Sequence, residues 1–305
     1  MCSGELYGNY SRIWSFAKGL RAKHRILGAS LLWTVLIVGT PVSSLADPPL
    51  APVSEDELAN EVNDPLATLT QIQLKDIFTP AEYGTNAQPN TLQFRSVFAV
   101  RPHLFTPLEE LIRPTIQVVT VPRGKTASTT TALDDIQLLD LFVIPFPDVK
   151  KTGFRWGIGP YFVFPTSTSQ FTGKGAWQLG PALGFAWQLD RLKFSWLFQQ
   201  STSFAYTSSR SVSVASIQIQ PLLTYDLGRG WYLKSADANW KINFRHKSST
   251  EIPLSAGIGK VWVGQDFSIN AAISGEWMAY RQFSSQTEQF TLNIQLSLLL
   301  PQLEM

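Results

Sequence analysis

The sequence predicts an all-β protein, a transmembrane antiparallel up-and-down β-barrel of about twelve strands. Three observations carry this expectation. From about residue 69, large apolar side chains recur at every second position, the period of a strand. The runs last roughly 10 to 15 residues, whereas strands of soluble proteins cluster near 5–6. The residues between the apolar ones are Gly, Ala, Ser, Gln and Asn, not the Lys and Glu of a water-facing surface. In lipid, only a closed barrel satisfies the backbone of such strands.

Composition agrees. The chain has 305 residues, 44 % hydrophobic but only 16 % charged, with 10 tryptophans. Soluble domains carry about 25 % charged residues.

Residues 1–46 read as a secretory signal peptide. Arg12, Lys18, Arg21, Lys23 and Arg25 form a basic start, LLWTVLIVG is the apolar centre, and Ser44-Leu45-Ala46 precedes the cut. Cys2, the one cysteine, leaves with this leader, so no disulfide is expected. Without Glu5 and the five leader cations, 20 basic residues face 22 acidic ones, a net charge of −2. That balance offers nothing to a nucleic acid.

Residues 47–68 are acidic and proline-bounded. Ser54 with Glu57 matches a capping box, which predicts a short helix through Glu61. The segment either plugs a lumen or hangs free. The barrel is expected over residues 69–305.

Four strands of weak alternation come first, near 69–79, 91–101, 113–122 and 135–145. Clear ones follow. In 154–164, Phe154, Trp156, Ile158, Phe162 and Phe164 alternate with Arg155, Gly157, Gly159 and Tyr161. In 176–189, AWQLGPALGFAWQL, one face is Trp177, Leu179, Pro181, Leu183, Phe185, Trp187 and Leu189, and the other is thin or amide-bearing. The same pattern marks 193–199, 215–225, 239–245, 252–259, 267–277 and 290–298. Trp177, Trp187, Trp231, Tyr232, Trp262, Trp277 and Tyr280 fall at strand ends, as interfacial girdles do. Short links at 146–151, 190–191, 227–230 and 264–266 alternate with longer ones at 122–134, 165–175, 207–211 and 281–288. Short links belong to the periplasmic side and long ones to the outside. Pro160, Pro181, Pro221 and Pro253 lie inside strands, where bulges or rim positions are expected.

The stretches WGIGPYFVFPTST (156–168), GKGAWQLGPAL (173–183), IQPLLTYDLGRGWYL (219–233), IPLSAGIGKVW (252–262) and FTLNIQLSLLLP (290–301) carry a resemblance. The chain resembles the outer-membrane proteins grouped as MetA-pathway phenol-degradation proteins, also labelled transporters, over roughly residues 69 to 301. The resemblance implies a twelve-stranded barrel and uptake of small, hydrophobic or aromatic molecules. The chain departs from that pattern twice. Ala132-Leu133-Asp134-Asp135 stands where Gly-Leu-Gly-Asp is usual, and the last strand ends in Leu300-Pro301 without a terminal aromatic.

Inward charges are expected at Arg95, Arg101, Asp140, Arg155, Lys241, Arg245 and Glu276. Amides accompany them at Gln178, Gln218, Gln220, Asn243, Asn270, Asn293 and Gln295. Such groups either select solutes along a pathway or neutralise one another in a filled lumen. The functional expectation is an outer-membrane channel for passive passage of small molecules, with no cofactor and no metal. Its expected partners are outer-membrane lipid and lipopolysaccharide, the barrel assembly machinery and a small-molecule solute. Two alternatives stand beside it: a hydrolase using His246 near Ser248, Ser249 and Glu251, and a closed structural or adhesive barrel.

Overall fold

The computed structural model describes residues 54–102, 107–124, 127–144, 153–209, 211–235, 238–245, 248–264, 267–283 and 287–300. The expected leader, residues 47–53, His103, His246, the link at 146–151 and the tail 301–305 lie outside them.

Among the described residues, one short helix, α1 (Glu55–Glu61), precedes fourteen strands. They are β1 (Thr70–Tyr83), β2 (Asn90–Val100), β3 (Glu109–Pro122), β4 (Thr129–Leu133), β5 (Ile136–Ile144), β6 (Phe154–Phe164) and β7 (Ala176–Leu189). The others are β8 (Leu192–Tyr206), β9 (Ala215–Gly228), β10 (Trp231–Lys234), β11 (Trp240–Asn243), β12 (Thr250–Val263), β13 (Ser268–Gln282) and β14 (Thr287–Leu300). All pair antiparallel with their neighbours. The first strand pairs with the last, Thr70 opposite Leu300, so the sheet closes and no edge remains.

The fourteen strands make twelve staves. β4 and β5 both lie against β3 and form one stave broken at Asp134-Asp135. β10 and β11 both bridge β9 and β12 and form another. Two sequence expectations are corrected here. Residues 129–133 belong to the wall, not to a long loop, and the ninth stave starts at Trp231, well before residue 239. Thr and Ser suit the pleated sheet as well as a loop, so composition did not separate the two.

Two-residue turns join β7 to β8 and β9 to β10. Asp190 (φ 50°), Arg229 (φ 57°) and Gly230 (φ 73°) take the left-handed conformation that such hairpins need. These turns share one end of the barrel with the starts of β1, β6 and β8. The segments 165–175, 207–209 and 211–214 lie at the other.

The prolines differ from expectation. Of Pro160, Pro181, Pro221 and Pro253, only Pro253 sits at a register shift. Pro160 and Pro181 face each other as a register pair within the β6–β7 ladder. The rungs they cost lie on their other sides. There the β5–β6 pairing skips Asp140 and Leu141, and the β7–β8 pairing skips Gln200 and Ser201.

The outer face is apolar around the circumference. Leu74, Leu183, Leu223, Leu254, Ile273 and Ile294 are among its exposed side chains, and Leu296 is 53 % exposed. Rings mark both ends. Trp187, Trp231 and Trp262 lie near the two-residue turns, with the Lys260 ammonium 5.1 Å from the Trp231 ring centre. Tyr83, with the Arg281 guanidinium 3.8 Å from its ring centre, Trp177 and Tyr280 lie toward the other. A bilayer is the solvent that suits such a surface, and this is an outer-membrane barrel.

The buried core lies inside the barrel, around residues 54–69. Ser54 caps α1 by accepting from the Glu57 N–H at 3.1 Å. Leu58, Ala59 and Val62 pack on Tyr232, Val261 and Leu299. Leu66 is fully buried among Leu111, Leu139, Leu141, Tyr161, Ala182, Ala186 and Leu197. A Cβ at Gly157 or Gly184 would come within 3.0 or 3.1 Å of a Leu66 methyl. The thin inward face of 176–189 is therefore thin where Leu66 fills the bore.

A candidate solute pathway through the barrel

Strand alternation places one residue in two inside the barrel. Above Leu66 the inward residues enclose a cavity of about 570 Å³. Leu139, Tyr161 and Val163 line it and also touch the Leu66 cluster, so the apolar plug of side chains is its floor.

Eight of the expected lumen residues line this cavity: Arg95, Gln178, Gln218, Gln220, Lys241, Asn243, Glu276 and Asn293. Glu276 accepts from the Asn293 amide at 2.6 Å. Three more lie inward but lower, at the level of the N-terminal segment. The Arg155 guanidinium lies 2.9 Å from Asp64, Asn270 accepts from the Tyr232 hydroxyl at 2.6 Å, and Gln295 accepts from the Lys234 ammonium at 2.9 Å.

Two expectations are corrected. Asp140 lies on the outer face, because Leu139 and Leu141 on either side of it point inward. An apolar lumen floor makes both faces of β5 apolar, so the alternation there has no readable phase. Arg245 is exposed beyond the end of β11, where its guanidinium donates to Ser213.

Several lining groups were not expected. Lys75 and Arg113 come from strands whose alternation is weak. Glu82, Asp134, Glu251 and Glu288 also line the cavity. Position along each strand sorts the charges. Glu82, Glu251 and Glu288 lie within a residue or two of the long-loop end, and Lys241 is opposite Glu251. Lys75, Arg95 and Arg113 lie four or five residues in from the other end.

Asp64 ties the N-terminal segment to the wall. Its Oδ2 lies 2.7 Å from Lys193 Nζ and 2.9 Å from the Arg155 guanidinium, and its Oδ1 accepts from the Leu66 N–H at 2.8 Å. The Asp64 side chain is wholly buried and that of Lys193 is 4 % exposed. Burial pushes the Asp64 carboxyl up, but Lys193 and Arg155 outweigh it and hold the group below its ordinary value. Asn63 accepts from Lys234 at 3.3 Å, and Asp56 accepts from the Gly230 N–H at 2.8 Å. Lys193 and Lys234 stand on wet faces, yet alternation alone could not tell a latch residue from any other lumen residue.

At the long-loop end, Asp135 holds the segment 165–175. It accepts from the Ser167 N–H at 3.2 Å and the Lys174 N–H at 2.8 Å. Thr166 and Thr168 accept from the Ile136 and Leu133 N–H groups at 2.8 and 3.1 Å. These hydroxyls replace rungs lost where the stave breaks at Asp134-Asp135. Asp135→Ala is expected to loosen this loop, since two part-buried N–H groups lose their acceptor and a typical hydrogen bond contributes about 0.5–1.5 kcal/mol. Faster proteolysis within 165–175, with the barrel still folded, is the readout.

Of the alternative hydrolase site, Ser249 accepts from the Asn243 amide at 2.9 Å and Glu251 accepts from the Thr287 hydroxyl. His246 lies outside the described residues.

No family model matches the chain, and no curated protein does. Solved structures do. The chain is similar to an outer-membrane channel from Pseudomonas putida F1, at 12 % identity and a TM-score of 0.52, over 76 % of this chain and 94 % of that one. It also matches the NanC porin, at 10 % identity and a TM-score of 0.47, over 75 % of this chain and 99 % of that one. The first likeness shows the fold, that of an outer-membrane barrel.

Proposed function

We propose that the protein is an outer-membrane channel for passive passage of small molecules, with residues 54–69 closing its periplasmic mouth. The observation that carries this reading is a polar, charged cavity inside a closed barrel, floored by an N-terminal segment that the barrel wall holds through polar contacts. A structural barrel needs no enclosed polar space, because small barrels fill their interior with side chains. Mechanism is then diffusion along the lumen once the segment leaves, with no covalent step. The charged lining favours hydrated solutes over the hydrophobic ones that the family resemblance implies. Arg95, Gln178, Gln218, Gln220, Lys241, Asn243, Glu276 and Asn293 border the upper route, while Arg155, Asn270 and Gln295 border the part the segment fills.

The test is single-channel recording in a planar bilayer. Residues 47–305 are expected to give rare steps, and the same chain lacking 47–68 discrete and frequent ones. Silence from both, with heat-modifiable gel mobility showing folded barrels, would remove the channel reading.

A further inference from the structure

The charges of the N-terminal segment and of the bore that holds it are opposite. Residues 54–69 carry five acids, Glu55, Asp56, Glu57, Glu61 and Asp64, and no base. The wall around and just above them presents Lys75, Arg95, Arg113, Arg155, Lys193 and Lys234 inward. Among the described residues, inward acids of the wall in that half are confined to the rim, at Glu109 and Asp226, and Asp226 is engaged with the Gly228 N–H of its own turn at 2.7 Å. Remove the segment and the short-turn half of the lumen is a cationic bore.

Within that bore, Asp64 occupies a built carboxylate site. Two cations from strands β6 and β8 converge on one oxygen, at 2.7 and 2.9 Å, and a backbone N–H meets the other. This is how a protein binds a small carboxylate. Here the carboxylate belongs to the chain itself.

We propose that Asp64 holds the place of a solute carboxylate, and that the channel passes small organic anions, which release the N-terminal segment by competing for Lys193 and Arg155. The inference rests on the channel reading above and adds to it a solute class and an opening trigger. The route fits. An anion entering at the long-loop end meets Lys75, Arg95 and Arg113 at mid-lumen before it reaches Lys193 and Arg155. Opposite charges concentrate an ion in a low-dielectric bore. A neutral solute gains no purchase on the latch, because it binds latched and unlatched states alike.

The test compares propionate with propionamide, of the same size and without charge, on the barrel chain from residue 47 in a planar bilayer. Propionate is expected to raise the frequency of open steps and propionamide to leave it unchanged. Asp64→Asn is expected to open without propionate, to lose the propionate response, and to show a reversal potential displaced toward chloride under a salt gradient. Lys193→Gln is expected to open likewise and provides the same readout if the first variant folds poorly. Equal responses to the two solutes, or a cation-selective open state, would overturn the inference and leave the channel intact. Silence of wild type and both variants, with folded barrels, would remove the channel and the inference together.

Discussion

Lys193→Ala is expected to release residues 54–69 from the barrel while the barrel stays folded. Asp64 is wholly buried, and Lys193 is its nearest cation. Without it, the carboxylate keeps only Arg155 and the Leu66 N–H. Removing one partner of a buried ion pair costs about 3–5 kcal/mol, since the other charge is left buried. The remaining Arg155 contact brings the cost toward the lower figure. The wall does not depend on the segment, because its ladders run from strand to strand. Hydrogen exchange of the amides in 54–69 is the direct readout, and unchanged protection would mean that Arg155 and the Leu66 cluster suffice.

The same latch fixes a pH dependence. Asp64 has a lowered value when docked and an ordinary one when released. Its contribution is therefore present above the released value, about 4, and is lost as pH falls through the lower docked value. Docking is expected to hold across neutral and mildly acid pH and to weaken only below about pH 4. Protection of 54–69 that disappears near pH 6 would contradict this, and so would protection that persists in Asp64→Ala.

Gly159→Ala is expected to destabilise the barrel wall itself. A Cβ at Gly159 would lie 1.8 Å from the Asp140 carbonyl oxygen across the β5–β6 seam. That oxygen is backbone and cannot swing away as a side chain does. The seam already lacks the rungs beside Pro160, so it has little pairing left to absorb a shift. Overpacking typically costs about 1–3 kcal/mol and more where backbone must move; this site belongs to the upper part. Gly275→Ala is the control, because the nearest atom to its added Cβ is a Phe290 ring carbon at 3.3 Å, on a side chain that can turn. The expected result is a clearly lower temperature of barrel unfolding, read by heat-modifiable mobility, for Gly159→Ala alone.

The stretch 176–189 shows why the wall was legible. Each of its outward residues meets lipid and each inward one meets the bore, so the environment of a position follows from its parity alone. The same holds for β6, β8, β9, β11, β12, β13 and β14, and seven of the eight expected lining residues lie on these strands, Arg95 on β2 being the other. Ser54 and Glu57 were readable for a similar reason, since a cap is a contact between near neighbours in the chain. The weak strands β1 to β5 were not. There a lumen floor of Leu111, Leu139, Leu141 and Val143 makes inward and outward residues alike, and Asp140 was assigned to the wrong side.

Period and spacing by themselves determined the barrel, its closure in lipid and the polarity of its lumen, because a side chain's solvent recurs with the strand period. Only the tertiary structure decided what fills the lumen. Asp64 meets Arg155 across 91 residues, and Asn63 meets Lys234 across 171. No local pattern encodes a contact at that separation. Its partners are chosen by which residues the closed wall turns inward at one height, and that height exists only once the first strand has paired with the last.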